Sequence, residues 1–248
     1  MPAKKLFLAI SAFFVSLHGC QQIPAGMVRI PAGEFTMGSD AAQTSNLPTN
    51  VSMGSDPNPA LFSARPAHRV YLDSFFLDRS TVSIRDYLTF IKAQGISIPP
   101  GWTGANPEGG NDENPVVWVN LDEAKGYCRS IGKRLPTEEE WEKAARGTDG
   151  RIYPWGSRFE IDRKDTSGPF GTHDMAGRVW EWTDSWFRPY PDAPSRTSLY
   201  WKGLRVIRGG GAREPQPELM FRSDYRGFAR AERRARDIGF RCAQDAGT

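Results

Sequence analysis

The sequence predicts an α+β domain: compact, mixed, and with little regular secondary structure. Three observations carry that prediction. Short alternating runs such as His68–Asp78 share the chain with short capped amphipathic runs such as Lys133–Gly147, and neither kind dominates. Twenty-five glycines and 19 prolines make turns frequent and long elements rare. Eight tryptophans and 14 phenylalanines supply the volume of an aromatic core.

Residues 1–19 read as an export signal. Lys4 and Lys5 precede the apolar run Leu6–Leu17, which is too short to span a bilayer. The run ends Leu17-His18-Gly19-Cys20, a sequence that resembles a bacterial lipobox, in which the Cys20 thiol is acylated after cleavage. Gln21 is not the acidic residue that signals inner-membrane retention. The expected address is therefore the bacterial outer membrane or cell surface, facing the periplasm and held by the lipid. Removing residues 1–19 takes away Lys4 and Lys5 and no acid, so the formal charge falls from +3 to +1. A near-neutral chain offers no electrostatic footprint for nucleic acid.

Residues 20–26 form a short tether and 27–245 one domain. Met27–Gly38 reads as strand, turn and strand, and 39–65 as a long surface loop rich in Ser, Asn, Pro and Asp. His68–Asp78 reads as one strand. Ser83 and Asp86 cap a helix with Ile84, Tyr87, Leu88 and Ile91 on its apolar face and Gly95 at its end. Asn114–Val119 is a short strand. Asn120 caps the next helix, with Glu123 at its third position and Gly132 after it. In Lys133–Gly147, Thr137 and Glu140 form a capping box, and Glu138, Glu139 and Glu140 face the positive end of the helix dipole. Trp141, Ala144 and Ala145 fall on one face, leaving Glu139–Lys143 and Glu142–Arg146 as outward i,i+4 pairs. A turn at Tyr153–Gly156 and short runs at Gly177–Asp184, Arg205–Gly211 and Ile238–Cys242 complete the chain, without internal repeats. With Cys20 given to lipid, Cys128 and Cys242 remain as a pair, and in an oxidising compartment a disulfide is the first expectation, stabilising by about 3–5 kcal/mol through loop entropy.

The segments MVRIPAGEFTMGSD, HRVYLDSFFLD, NPVVWVN, RLPTEEEWEKAARG, YPWG, HDMAGRVWEW, RVIRGGG and DIGFRC, in this order across residues 27–242, resemble the formylglycine-generating enzyme (sulfatase-modifying factor) family. The resemblance implies a compact mixed fold related to C-type lectins. It also places Cys128 and Cys242 where vertebrate members form a structural disulfide; a second family disulfide is absent, its positions falling at Ala145 and Ser223.

The chemistry implied by the resemblance is oxidation of a substrate cysteine to formylglycine with copper and oxygen, the Cu(I) held by two thiolates between the RGG strand and the final GFR. No cysteine stands in that interval here. By register the two positions fall at Glu214 (or Arg213) and near Glu218, and carboxylates do not replace thiolates for a soft cation. Copper and formylglycine generation are therefore not expected, and the chain reads as a pseudoenzyme for that reaction. The three-histidine iron site of ergothioneine-type synthases is not expected either, since only His68 and His173 follow the signal segment. Both read as structural histidines. The chain is also similar to pyoverdine-maturation oxidases, which lack the cysteine pair; on that likeness Glu214 and Glu218 are candidate catalytic groups, against the alternative of two solvated loop carboxylates beside Pro215 and Pro217.

No cofactor is certain. Calcium is a candidate at degraded sites only: Arg178 stands at the family's asparagine, Glu181 remains, and an Arg178–Glu181 contact is expected to take the metal's place. The second calcium loop, Ser157–Gly168, is short, with Asp162 and Asp165 as its carboxylates. Arg208, Arg222, Arg226 and Arg241, with Tyr225 among them, lie on segments that line the family's peptide groove. They read either as forks for an acidic or peptide ligand or as buried ion-pair members holding the C-terminal loops. The run Arg226, Arg230, Arg233, Arg234 and Arg236 reads as a solvated face. Two functions follow. One is an exported, lipid-anchored peptide- or protein-binding or maturation-accessory module of the cell envelope, not catalytic for cysteine oxidation. The other is an exported maturation oxidoreductase acting on a peptide-like substrate through a Glu214/Glu218 pocket or an unidentified cofactor.

Overall fold

The computed structural model describes residues 22–40, 63–102, 111–193 and 202–247. Cys20, the export signal and most of the 39–65 loop lie outside them. The elements in chain order are β1 (Met27–Ile30), β2 (Gly33–Met37), β3 (His68–Leu72), β4 (Phe75–Asp78), α1 (Ile84–Gln94), α2 (Leu121–Ser130), α3 (Glu138–Arg146), β5 (Trp180–Trp186), β6 (Arg205–Arg208), α4 (Pro217–Met220), β7 (Gly227–Ala229), β8 (Ile238–Gly239) and β9 (Ala243–Asp245). Three small sheets result, ordered β1-β4-β9, β2-β3 and β7-β6-β5-β8. All pairings are antiparallel except β5 with β8. This is a mixed helix and sheet fold with few helices, as expected. Among the described residues no helix is long and apolar enough to cross a membrane.

The three longer helices, α1 to α3, start where their capping residues stand. Ser83 Oγ accepts from the Asp86 amide, and Gly95 ends α1 at φ 64°, a conformation that costs glycine little. Asn120 with Glu123, and Thr137 with Glu140, make both halves of a capping box. Tyr87, Phe90, Tyr127 and Phe240 bring their rings together between α1, α2 and the C-terminal segment. Beside them Cys128 and Cys242 are disulfide-bonded and fully buried, with Cα atoms 5.7 Å apart across a separation of 114 residues. Trp141, Ala144 and Ala145 pack on Val28, Ile30, Phe75, Leu77 and Met175.

Three local expectations change. His68–Asp78 is not one strand: β3 and β4 break at Asp73-Ser74 and join different sheets. Asn114–Val119 forms no strand beyond a bridge between Ser83 and Pro115. Pro115 has no amide to give a ladder, and Trp118 sits at φ 64°, donating instead to Ala235 O. Helix α3 has almost no outer face, because all its residues but Glu139 are buried. It packs against β2, β5 and β6. The Glu142–Arg146 pair forms at 3.0 Å but in the interior. Lys143 turns from Glu139 to the carbonyls of Pro31 and Gly33, 2.8 Å from each. A nine-residue helix enclosed on several sides buries its charged positions too, and they are retained because each finds a partner.

Candidate functional site

A cleft of about 470 Å³ opens beside the N-terminal end of β5. Five segments meet there, and backbone contacts hold them in place. Trp180 N donates to Asp237 O at 2.8 Å, Trp118 N to Ala235 O at 2.9 Å, and Gly177 N to Gly209 O at 3.0 Å. The turn after β6 needs its glycines. Gly209 and Gly210 have φ of 101° and 72°, and a Cβ on Gly210 would lie 2.9 Å from the Phe221 ring and 3.0 Å from Met220 O. That turn carries Glu214 into the cleft wall. Its Oε1 accepts from Trp180 Nε1 at 2.6 Å and from the Gly211 amide at 2.9 Å. Arg178, Arg213 and Arg236 stand exposed around the opening, with Asp237 beside them.

Glu218 does not join Glu214. It is exposed on α4, outside the cleft, and its main-chain carbonyl accepts from Tyr153 Oη at 2.7 Å. The expected two-carboxylate pocket thus reduces to Glu214. At this cleft the donor set does not fit copper. Glu214, which the resemblance places at the first thiolate position, is a carboxylate already held by an indole and an amide, and among the described residues no cysteine lines the cleft.

The five groove residues point inward, Arg241 against Glu181. Arg208 Nη2 donates to Glu142 Oε2 at 2.6 Å, and its Nη1 reaches the carbonyls of Ser223 and Tyr225. Arg226 makes two bonds to Glu138, at 2.9 and 2.8 Å. Arg222 makes two to Asp224, at 2.9 and 2.7 Å. Tyr225 is buried with its ring 6.0 Å from that of Trp180. Burial works against the charge on Arg208, and the Glu142 and Glu138 carboxylates outweigh it, so its pKa is raised. Burial likewise opposes ionisation of Asp224, and Arg222 outweighs it, leaving the carboxyl below its usual range. These side chains are interior ion-pair members, not solvent-facing forks, because the segments carrying them close over α3.

Glu181 is also interior, and its partner is not the expected one. Arg241 Nε and Nη2 donate to its two oxygens at 2.6 and 2.7 Å, and Trp141 Nε1 donates at 2.9 Å. Arg178 instead reaches Asn114 Oδ1 at 3.2 Å and lies 3.6 Å from Asp174. Calcium takes six to eight oxygens, and a carboxylate closed on both oxygens by a guanidinium does not fit it. Asp162 and Asp165 are exposed, and Asp165 accepts from the Ser167 amide. Among the described residues no three His, Cys, Asp or Glu side chains gather as a metal site. The His68 ring bonds Pro66 O and meets the Tyr190 ring at 4.7 Å, whereas His173 is exposed and contributes its main-chain carbonyl to Arg241.

Sequence reasoning missed Arg213 and Arg236 as cleft residues. Arg213 carried only a register ambiguity, and Arg236 was absorbed into a basic run. The available signal was the glycine turn, which must project the residues that follow it.

The sequence model of the sulfatase-modifying factor enzyme 1-like domain matches residues 16–168 and 163–246. The formylglycine-generating enzyme of Streptomyces coelicolor is 30% identical over 89% of this chain and 90% of its own length. A mouse relative, inactive C-alpha-formylglycine-generating enzyme 2, is 27% identical over 92% of this chain and 88% of its own. Among solved structures, PvdO from Pseudomonas aeruginosa matches with a TM-score of 0.66 at 26% identity, over 89% of this chain and 94% of that one. In fold and in sequence, the chain belongs to the formylglycine-generating enzyme (sulfatase-modifying factor) family.

Proposed function

We propose that the protein is an exported, lipid-anchored member of this family that binds a peptide or protein in the cell envelope, as a recognition or maturation-accessory module, and does not oxidise cysteine. One observation carries the reading. The cleft presents Glu214, bonded to Trp180 Nε1 and Gly211 N, where the resemblance calls for a copper thiolate. A hard carboxylate with two donors on one oxygen is a poor Cu(I) ligand. The Leu17–Cys20 lipobox supports export and anchoring, and the mouse relative named as inactive is a second family member without the activity.

The test is a cysteine-containing peptide incubated with the protein, Cu(I) and oxygen, followed by mass spectrometry. The reading expects unchanged peptide; conversion of the cysteine to an aldehyde overturns it. Anchoring is read separately. Cys20→Ala is expected to move the protein from the membrane fraction to the soluble one, and unchanged membrane association counts against lipidation. A second reading, an exported maturation oxidoreductase for a peptide-like substrate, draws on Glu214 facing the cleft. Loss of a maturation phenotype in Glu214→Gln, with binding retained, would favour it.

A further inference from the structure

The arginines from Arg205 onward divide in two. Arg205, Arg208, Arg222, Arg226, Arg234 and Arg241 each have a carboxylate within ion-pair distance. Arg213, Arg230, Arg233 and Arg236 have none among the described residues, and all four are exposed. They are not scattered. Arg213 and Arg236, with Arg178, surround the cleft already described. Arg230 and Arg233 stand at a second depression of about 570 Å³ floored by Trp180, Ile207, Phe228 and Ile238. Asp237 belongs to both, so the two depressions adjoin. The Trp180 indole floors the second and bonds Glu214 in the wall of the first.

At the first depression Arg178 already has Asp174 at 3.6 Å, whereas Arg213 and Arg236 have no carboxylate among the described residues; a ligand carboxylate between those two gains bidentate charge-assisted bonds that neither makes within the chain. We infer that the double cleft binds an extended acidic peptide segment, with Asp or Glu side chains among Arg178, Arg213 and Arg236 and a neighbouring large apolar side chain on the floor beside Phe228. The apolar floor distinguishes this occupant from a small anion, which would use the first depression alone. Asp237 at the junction and Glu232 beside Arg230 and Arg233 interrupt the basic lining, which suits separate side-chain carboxylates and opposes a continuous polyanion. Glu214 and Asp237 also leave carboxylate oxygens facing the cleft that can accept peptide amides. The inference deepens the binding function proposed above and rests on it.

The experiment uses the full chain in detergent micelles and fluorescein-labelled Ala-Glu-Glu-Phe-Ala, with Ala-Gln-Gln-Phe-Ala and Ala-Glu-Glu-Ala-Ala as comparisons, read by anisotropy. The glutamate peptide is expected to bind at least about tenfold more tightly than the glutamine peptide, as two charge-assisted bonds imply. Arg213→Gln with Arg236→Gln is expected to abolish that preference without moving Tm. Arg129→Gln, an exposed change on α2, is expected to keep it. Ala-Glu-Glu-Ala-Ala is expected to lose several-fold, as a buried aromatic side chain implies. Equal binding of the glutamate and glutamine peptides overturns the inference. So does equal loss in Arg129→Gln, which indicates unspecific attraction, and so does equal binding without the phenylalanine. Copper retention and cysteine oxidation are read on the same preparation, so failure of the parent reading shows separately from lack of carboxylate preference.

Discussion

The C-terminal quarter of the chain uses one residue type in two opposite ways. Around α3, Arg208, Arg226 and Arg241 are fully buried against Glu142, Glu138 and Glu181. A few residues away in sequence, Arg213, Arg230, Arg233 and Arg236 are exposed and unpaired around the double cleft. Composition does not separate the two sets; enclosure does. An interior guanidinium without its carboxylate is a large uncompensated cost, so its partner is obligatory. An exposed guanidinium pays little for standing alone, so it is available to a ligand.

Loss of an interior ion pair weighs most at Arg226. Arg226→Met leaves Glu138 in the interior with only Arg208, 3.9 Å away, and is expected to cost about 3–5 kcal/mol in denaturant unfolding. Adding Glu138→Leu is expected to recover much of that, because a matched apolar pair replaces a buried ion pair at little net cost. If the single variant is as stable as the parent, the interior set is not structural. Next in size is Thr137→Ala. The cap starts the helix that carries Glu138 and Glu142, and its loss is expected to cost about 1 kcal/mol by the same measurement.

The acid limb of stability sharpens the comparison. Asp224 is buried, and Arg222 holds its carboxyl below the usual range. A carboxyl whose folded pKa is depressed contributes stability that is present above its unfolded pKa, about 3.9, and lost as pH falls through the folded value. Asp224→Asn is therefore expected to flatten the fall in Tm below about pH 4; an unchanged acid limb would show that the Arg222 pair is not part of it. The smallest effects belong outside. Arg213→Gln and Arg233→Gln are each expected to shift unfolding by less than about 0.5 kcal/mol, and a large loss would place them with the interior set.

What the sequence showed plainly was local. Ser83, Asn120 and Thr137 announce helix starts because a cap is satisfied within a few residues. The disulfide followed from counting cysteines and from the family likeness. The enclosure of α3 was not legible, since Glu142 and Arg146 at i,i+4 spacing look the same on a solvated face as in a core. Nor was the partner of Glu181, because Arg241 lies 60 residues away and Arg178 only three. At the site, the absence of the cysteine pair that the resemblance calls for was visible directly in the sequence. That Glu214 faces the cleft while Glu218 does not depends on the turn at Gly209–Gly211, a tertiary arrangement that register alone does not resolve.

The proposed function rests on a cleft that does not hold copper, and elemental analysis of the full chain, loaded with Cu(I) under reducing conditions and then desalted, measures this. Copper far below one equivalent is expected, unchanged in Glu214→Gln. One equivalent of retained copper, lost in Glu214→Gln, would contradict it and return the cleft to redox chemistry.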